Sequence, residues 1–72
     1  MTLDRVKKGQ QIRIISIPDE IFRVQAIRFG ISEGAVVVCQ EKVPAGPVVV
    51  RKNNQEIAIG RNLASKIGVA LN

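Results

Sequence analysis

The sequence has 72 residues, 46% of them hydrophobic, with eleven Lys and Arg against six Asp and Glu, one cysteine and no histidine. A chain of this length forms one domain, which we assign to residues 1–72, and a single cysteine excludes an intramolecular disulfide. Without histidine the chain lacks the commonest metal ligand and the usual acid–base group near neutral pH, so we expect no enzyme activity, no cofactor and no metal site.

The location that the sequence favours is the cytoplasm. No apolar run approaches the roughly 20 residues that span a bilayer. The first ten residues lack the apolar centre of a signal peptide, and the lone cysteine suits a reducing compartment. We therefore expect a cytoplasmic protein that does not itself span a membrane.

The net charge of +5 leaves several partner classes open. Such a charge favours nucleic acid, an anionic membrane face or an acidic protein, but it also fits a plain solvated surface. The basic residues are scattered, and no run of five or more occurs.

The chain opens with a helical turn and a strand. Leu3 and Val6 have the spacing of one helical turn, which would bury both side chains. The run from 10 to 17 is rich in isoleucine and predicts a strand, which Pro18 ends because it has no N–H for the ladder.

The four isoleucines of this first strand point to a distortion. Ile12 and Ile14 share one face of a regular strand, and Ile15 and Ile17 share the other. A bulge near Ile14 and Ile15 would let both pairs reach the core, and the alternative is a strand that is covered on both faces.

The segment from 22 to 29 predicts the principal helix. Phe22, Ala26 and Phe29 fall on one face at about 100° per residue, so we expect both phenylalanines in the core. Gly30 is placed to end the helix in a left-handed conformation, after which Ile31 can fold back onto the helix end. Gly34 marks a second sharp turn, and either Ser16 or Asp19 could cap the helix start.

A second apolar stripe lies on the same helix. It consists of Ile21, Val24 and Ile27, with Arg23 and Arg28 beside it. Our main expectation is that the first strand or a chain terminus covers this stripe, and the alternative is contact with a partner protein. The two arginines could steer that docking, although each also fits a solvated helix face.

The second half of the chain reads as short strands and turns. We predict strands over 35–43, 47–51, 56–59 and 69–71, a hairpin turn at Asn53–Asn54 and a short helical turn over 62–66. Cys39 is interpreted as a buried small hydrophobe. The whole is mostly β: a small SH3-like barrel of about five antiparallel strands, with one inserted α-helix and short helical turns.

Two ligand classes are disfavoured by the scarcity of aromatic residues. Grooves for proline-rich peptides and platforms for single-stranded nucleic acid both need exposed aromatic side chains, and the chain has only two Phe. What remains is a module that recognises another protein through aliphatic, charged and backbone contacts.

At this point the order of motifs resembles a known family. The run from Ala26 to Gly34 (AIRFGISEG), the pair Gly46–Pro47 and the segment from Ile57 to Val69 follow the pattern of the ferrous iron transport protein A (FeoA) family. The resemblance covers nearly the whole chain, and the order and spacing of glycines and aliphatics carry it. Gln25 stands where the family often has a basic residue, and Phe29 replaces its usual leucine.

The resemblance implies an SH3-like barrel, as also found at the C-terminus of diphtheria-toxin-type metal-dependent repressors. It implies an accessory protein of bacterial ferrous iron uptake that acts on the GTPase-containing permease of the inner membrane, placing the chain peripherally at that membrane. The alternative is an RNA- or ribosome-associated barrel, although we expect no nucleic acid partner; direct iron binding as a chaperone is weaker still. The sequence leaves open whether the chain associates with itself.

Overall fold

A computed structural model describes residues 1–72 as a five-stranded sheet with short helices. The strands are β1 (Gln11–Ser16), β2 (Val36–Lys42), β3 (Val48–Lys52), β4 (Gln55–Ile59) and β5 (Gly68–Leu71). The α-helices are α1 (Glu20–Ala26) and α2 (Arg61–Ala64), and 3₁₀ turns occupy Leu3–Arg5 and Ile27–Phe29. None of these helices has the length and apolar character that crossing a membrane requires.

The sheet has the strand order β4-β3-β2-β1-β5, and every neighbouring pair is antiparallel. The first and last strands of the chain are therefore neighbours, which brings the two ends of the sequence together. Thr2 extends this side by a bridge to Gly68. The prediction of five antiparallel strands in an SH3-like arrangement, with α1 between the first two, is confirmed.

The predicted bulge in β1 is present, but it buries only one of the two isoleucines, Ile15 and Ile17, that share the second face of the strand. The pairing of β1 with β5 shifts register between Ile14 and Ser16. The extra residue turns Ile17 into the core, where it is fully buried together with Ile12 and Ile14. Ile15 stays exposed, so the expectation that both pairs reach the core is correct only for Ile17.

The core is entirely hydrophobic. Its 15 buried residues come from every strand, both α-helices, the opening 3₁₀ turn and the segments that connect these elements. They are Leu3, Val6, Ile12, Ile14, Ile17, Ala26, Ile31, Val37, Cys39, Val48, Val50, Ile59, Ala64, Ile67 and Val69. Leu3 and Val6 are buried as the opening turn predicts. Cys39 is also buried as expected, and burial raises the pKa of its thiol.

Helix α1 begins at an aspartate cap. The Asp19 carboxylate accepts a hydrogen bond of 2.8 Å from the backbone N–H of Phe22, which settles the choice between Ser16 and Asp19. At the other end Gly30 has φ 76°, in the left-handed region, and the Ile31 N–H donates to the Ala26 carbonyl at 3.0 Å. Both features of the predicted helix end are confirmed.

Replacing Asp19 with alanine is expected to lower the free energy of unfolding by about 1 kcal/mol, because the N–H of Phe22 loses its only cap. Denaturant unfolding of the purified domain measures the change. Asp19→Asn is the matched control, since its amide oxygen can accept the same bond; an equal loss in both variants would contradict the capping role.

Two expectations about the helix are wrong. The α-helix ends at Ala26 and a 3₁₀ turn follows, so Phe29 lies beyond the regular helix on which its burial was predicted. Phe22 is half-buried and packs against the core, whereas Phe29 is 45% exposed. The second stripe is not covered by the chain either: Ile21, Val24 and Ile27 are all exposed.

Candidate docking surface on helix α1

The most prominent uncovered apolar feature of the molecule is a ridge along α1. We define the α1 ridge as Ile21, Val24 and Ile27, which are 74%, 65% and 59% exposed, with Phe29 at its C-terminal end. Glu20 and Gln25 join Ile21 and Val24 around a shallow depression in this surface. A contiguous patch of exposed aliphatic side chains marks an interaction site more often than isolated exposed hydrophobic residues do.

The ridge faces outward because α1 has only one narrow face for the core. Ala26 is buried and Phe22 is half-buried against the core cluster, so these two residues fix the rotation of the helix. At about 100° per residue, Val24 lies nearly opposite the direction midway between them. The residues that flank Val24 by one helical turn therefore also point away from the core.

The two arginines predicted beside the ridge differ in their availability. Arg23 donates to the Ile17 carbonyl at 3.1 Å and lies 4.0 Å from the Glu20 carboxylate, so it is engaged within its own fold. Arg28 is exposed and has neither a hydrogen bond nor an ion pair. Of the predicted pair, Arg28 is the one whose charge is free to meet a partner.

Polar contacts from distant parts of the chain hold the ridge in place. Lys52 on β3 donates from Nζ to the Gly30 carbonyl at 2.9 Å, which ties the helix end to the sheet. The Glu33 carboxylate accepts from the Ile17 N–H at 3.1 Å, next to the helix start. The sequence analysis missed both side chains. Their hydrogen-bond partners are backbone groups 16 and 22 residues away, and no local sequence pattern identifies a glutamate or lysine that makes such a contact.

The Gly46–Pro47 pair lies in the loop that joins β2 and β3. Arg61 of α2 holds this loop, donating from Nε to the Gly46 carbonyl at 3.0 Å and from Nη2 to the Val43 carbonyl at 2.7 Å. A Cβ on Gly46 would lie 2.8 Å from Cγ1 of Val43, so the close approach of the two residues favours glycine there. The pair supports the barrel and takes no part in the ridge.

The remaining charges form few ion pairs. Besides Arg23 and Glu20, only Lys8 and Glu41 are close, at 3.4 Å. The Lys42 backbone N–H bonded to Glu41, together with Lys8, holds the pKa of that carboxyl below its usual range. No group of three or more His, Cys, Asp or Glu side chains lies together in the structure.

Comparison with known proteins places this fold and this sequence among related chains. A model of the FeoA domain family matches residues 1–71. A search of curated proteins found no match. The solution structure of the FeoA protein from Chlorobium tepidum is 26% identical and superposes with a TM-score of 0.86, covering 99% of this chain and 70% of that one.

Two crystal structures share the fold at lower identity. An iron uptake regulatory protein (FeoA) is 24% identical, with a TM-score of 0.81 over 96% of this chain and 93% of the other. The metal-dependent transcriptional regulator MtsR is 16% identical, with a TM-score of 0.80 over 100% of this chain and 34% of that protein. The second similarity agrees with the expectation that the same barrel occurs within metal-dependent repressors.

Proposed function

Since the chain belongs to the FeoA family, we propose that it is an accessory protein of ferrous iron uptake that docks on the GTPase-containing membrane permease for ferrous iron. The docking surface in this proposal is the α1 ridge, and the observation that carries it is the exposure of Ile21, Val24 and Ile27 on a well-anchored helix. The chain works at the cytoplasmic side of the membrane, where the permease presents its GTPase domain.

The character of the ridge supports recognition of a protein. Its centre is aliphatic and its margin is charged, which is the arrangement of a protein–protein contact with a desolvated core and a polar rim. Because Lys52 and Asp19 fix the two ends of the helix, little conformational freedom would be lost on binding. An apolar groove that receives one face of α1, as in helix-in-groove recognition, is the complementary shape.

The positive charge of this chain also favours a partner with an acidic surface. Arg28 forms no ion pair in its own chain, and the whole molecule carries a net charge of +5. An acidic group at the rim of the groove would pair with Arg28, and an acidic surface would raise the association rate at low salt. The chain acts by holding or shifting a conformation of the permease, and contributes no reacting group.

Binding of the chain to the purified cytoplasmic GTPase domain of the permease tests the proposal by titration calorimetry. Replacing Ile21 and Ile27 together with serine is expected to weaken binding at least about tenfold, because both changes remove apolar contact from the centre of the interface. The domain should keep its unfolding midpoint within error, since both side chains are exposed in the free chain.

Ile15→Ser is the control, because Ile15 is an exposed isoleucine that belongs to β1 and not to the ridge. It should leave the affinity unchanged. If the wild-type chain does not bind the GTPase domain or the intact permease at micromolar concentration, the proposed function is wrong. If Ile15→Ser weakens binding as much as the ridge change does, the contact surface has been misplaced. GTP hydrolysis with and without the chain shows whether docking changes turnover.

A further inference from the structure

We propose that one end of the barrel binds directly to an anionic membrane surface. The juxtaposition that carries this proposal is an exposed aliphatic loop with basic side chains from three separate parts of the sequence beside it. The loop joins β2 to β3 and comprises residues 43–47. We define the basic end as this loop together with five basic residues: Arg5, Lys7, Lys8, Lys42 and Arg61.

Arg61 ties the loop to the opening 3₁₀ turn. Its guanidinium donates to the Val43 carbonyl at 2.7 Å and to the Gly46 carbonyl at 3.0 Å. The same group donates from Nη1 to the Asp4 carbonyl at 3.5 Å, and Arg5 follows Asp4 directly in the turn. Segments that are far apart in the sequence therefore meet at one guanidinium.

The turn that carries Lys7 and Lys8 lies beside the end of β2. The Gly9 N–H donates to the Cys39 carbonyl at 2.7 Å, and Nζ of Lys8 lies 3.4 Å from the Glu41 carboxylate. Since β2 ends one residue after Glu41 and leads into the loop, this turn and the loop lie at the same end of the barrel.

The basic end holds most of the net positive charge of the molecule. Its five basic residues stand against two carboxylates in the same segments, Asp4 and Glu41, which leaves +3 of the net +5. The other six basic and four acidic residues leave +2. Both carboxylates of the basic end already have partners within the chain, since Asp4 accepts from the Thr2 hydroxyl and Glu41 pairs with Lys8.

Three of the five basic side chains have no partner. Arg5, Lys7 and Lys42 form no ion pair and donate no side-chain hydrogen bond. Arg5 and Lys7 are exposed, and Lys42 is half-buried. A basic residue close to anionic lipid strengthens membrane binding roughly fivefold, so these unpaired charges favour a lipid surface.

The loop adds an apolar tip to this charge. Val43 is 42% exposed, and Pro44 and Ala45 are exposed as well. The Gly46 N–H donates to the Val43 carbonyl at 2.8 Å, and the Val43 N–H donates to the Pro47 carbonyl at 3.1 Å, so the loop has a fixed shape. Interfacial binding grows with the apolar area that enters the headgroup region and with the charge that attracts anionic lipid.

Nucleic acid fits the basic end less well. Duplex binding draws its affinity from contacts between basic side chains and phosphates, in which an aliphatic tip takes no part. Single strands need aromatic side chains for stacking, and neither phenylalanine belongs to the basic end.

The membrane contact leaves the α1 ridge accessible. Strand β1, roughly 17 Å long, begins at the basic end, and α1 follows the other end of the strand. The proposal therefore does not rest on the permease contact, and its tests use the purified chain alone.

Co-sedimentation of the chain with vesicles tests the membrane contact. Vesicles of equimolar phosphatidylglycerol and phosphatidylcholine should bind half of the chain at lipid on the order of 1 mM in about 50 mM salt, and pure phosphatidylcholine should bind none. Salt at about 500 mM should release the chain, because it shortens the screening length to less than about 5 Å. No binding to the anionic vesicles up to about 10 mM lipid overturns the proposal, and so does binding to a DNA duplex but not to vesicles.

Lys7→Glu should weaken vesicle binding at least about tenfold. Lys66→Glu is the matched control, with the same change in charge at an exposed and unpaired lysine. It lies two residues before Gly68, which pairs with Ser16 at the other end of β1, and should change binding less than about twofold. Thermal melts check that both variants fold. Equal losses would show that net charge alone governs binding and would overturn the assignment to the basic end.

Tryptophan emission reports which part of the chain meets the lipid, since the sequence has no tryptophan of its own. The emission of Pro44→Trp should shift to shorter wavelength with the anionic vesicles and stay unchanged with phosphatidylcholine. Ile15→Trp, at an exposed position of β1, should show no shift with either. A shift at Ile15 without one at Pro44 would contradict insertion of the loop.

Discussion

Replacing Ile31 with alanine is expected to lower the free energy of unfolding by about 2 to 5 kcal/mol, enough to leave the domain at the edge of stability. Ile31 is fully buried, and it packs where the end of the helix meets the sheet. A domain of 72 residues has a total stability of roughly 4 to 11 kcal/mol, so this one side chain carries a large share.

The expected loss at Ile31 has two physical parts. Alanine removes three carbon atoms from a core without polar side chains, and it leaves a cavity that the surrounding structure fills only in part. The Ile31 N–H remains bonded to the Ala26 carbonyl, so the change isolates the side chain from the backbone contact. Urea unfolding followed by circular dichroism measures the shift in midpoint.

Ile15→Ala is the control for Ile31→Ala, because it makes the same truncation at an exposed position of β1. We expect a change of no more than about 0.5 kcal/mol there. Comparable losses at the two positions would mean that Ile31 does not lie in the core and that the path of the chain after Gly30 is different.

The helix shows where periodicity succeeds and where it fails. The spacing of Phe22 and Ala26 identifies the inner face, because a regular α-helix runs between them. The same extrapolation fails at Phe29, since the α-helix ends at Ala26 and Phe29 lies in the 3₁₀ turn beyond it, where its side chain is 45% exposed. A switch from α to 3₁₀ geometry has no signature in the spacing of apolar residues.

The ridge could be found from the sequence, but its exposure could not. Ile21, Val24 and Ile27 form a visible stripe, and a small domain usually hides such a stripe under another segment. Whether a segment covers the stripe depends on the path of the complete chain, and here no segment does, since Ile21, Val24 and Ile27 are all exposed. Arg61 and Lys52 were missed for a related reason, because their acceptors are backbone carbonyls brought near only by the complete fold.

At Gly30 an added side chain would meet both backbone strain and a close neighbouring side chain. Its φ of 76° lies in the left-handed region, which costs an ordinary L-residue about 1 to 2 kcal/mol and a β-branched residue more. A Cβ built there would also lie 3.2 Å from Cδ of Lys52, whose Nζ donates to the Gly30 carbonyl. A side chain at this position therefore strains the backbone and requires the Lys52 side chain to shift by a few tenths of an ångström.

Gly30→Val is expected to lower the free energy of unfolding by about 2 to 4 kcal/mol, because a β-branched residue is strained in the left-handed region and its side chain weakens the Lys52 hydrogen bond. Gly30→Asn should lose only about 1 kcal/mol, because asparagine adopts the left-handed conformation more readily than other residues. Gly60→Ala is the control, since Gly60 has φ −55° and open space around its Cβ position. Denaturant titration of the three variants measures the series. Equal stability of the valine and asparagine variants would show that left-handed strain does not set the requirement, and a large loss at Gly60 would show that glycine matters in this fold for another reason.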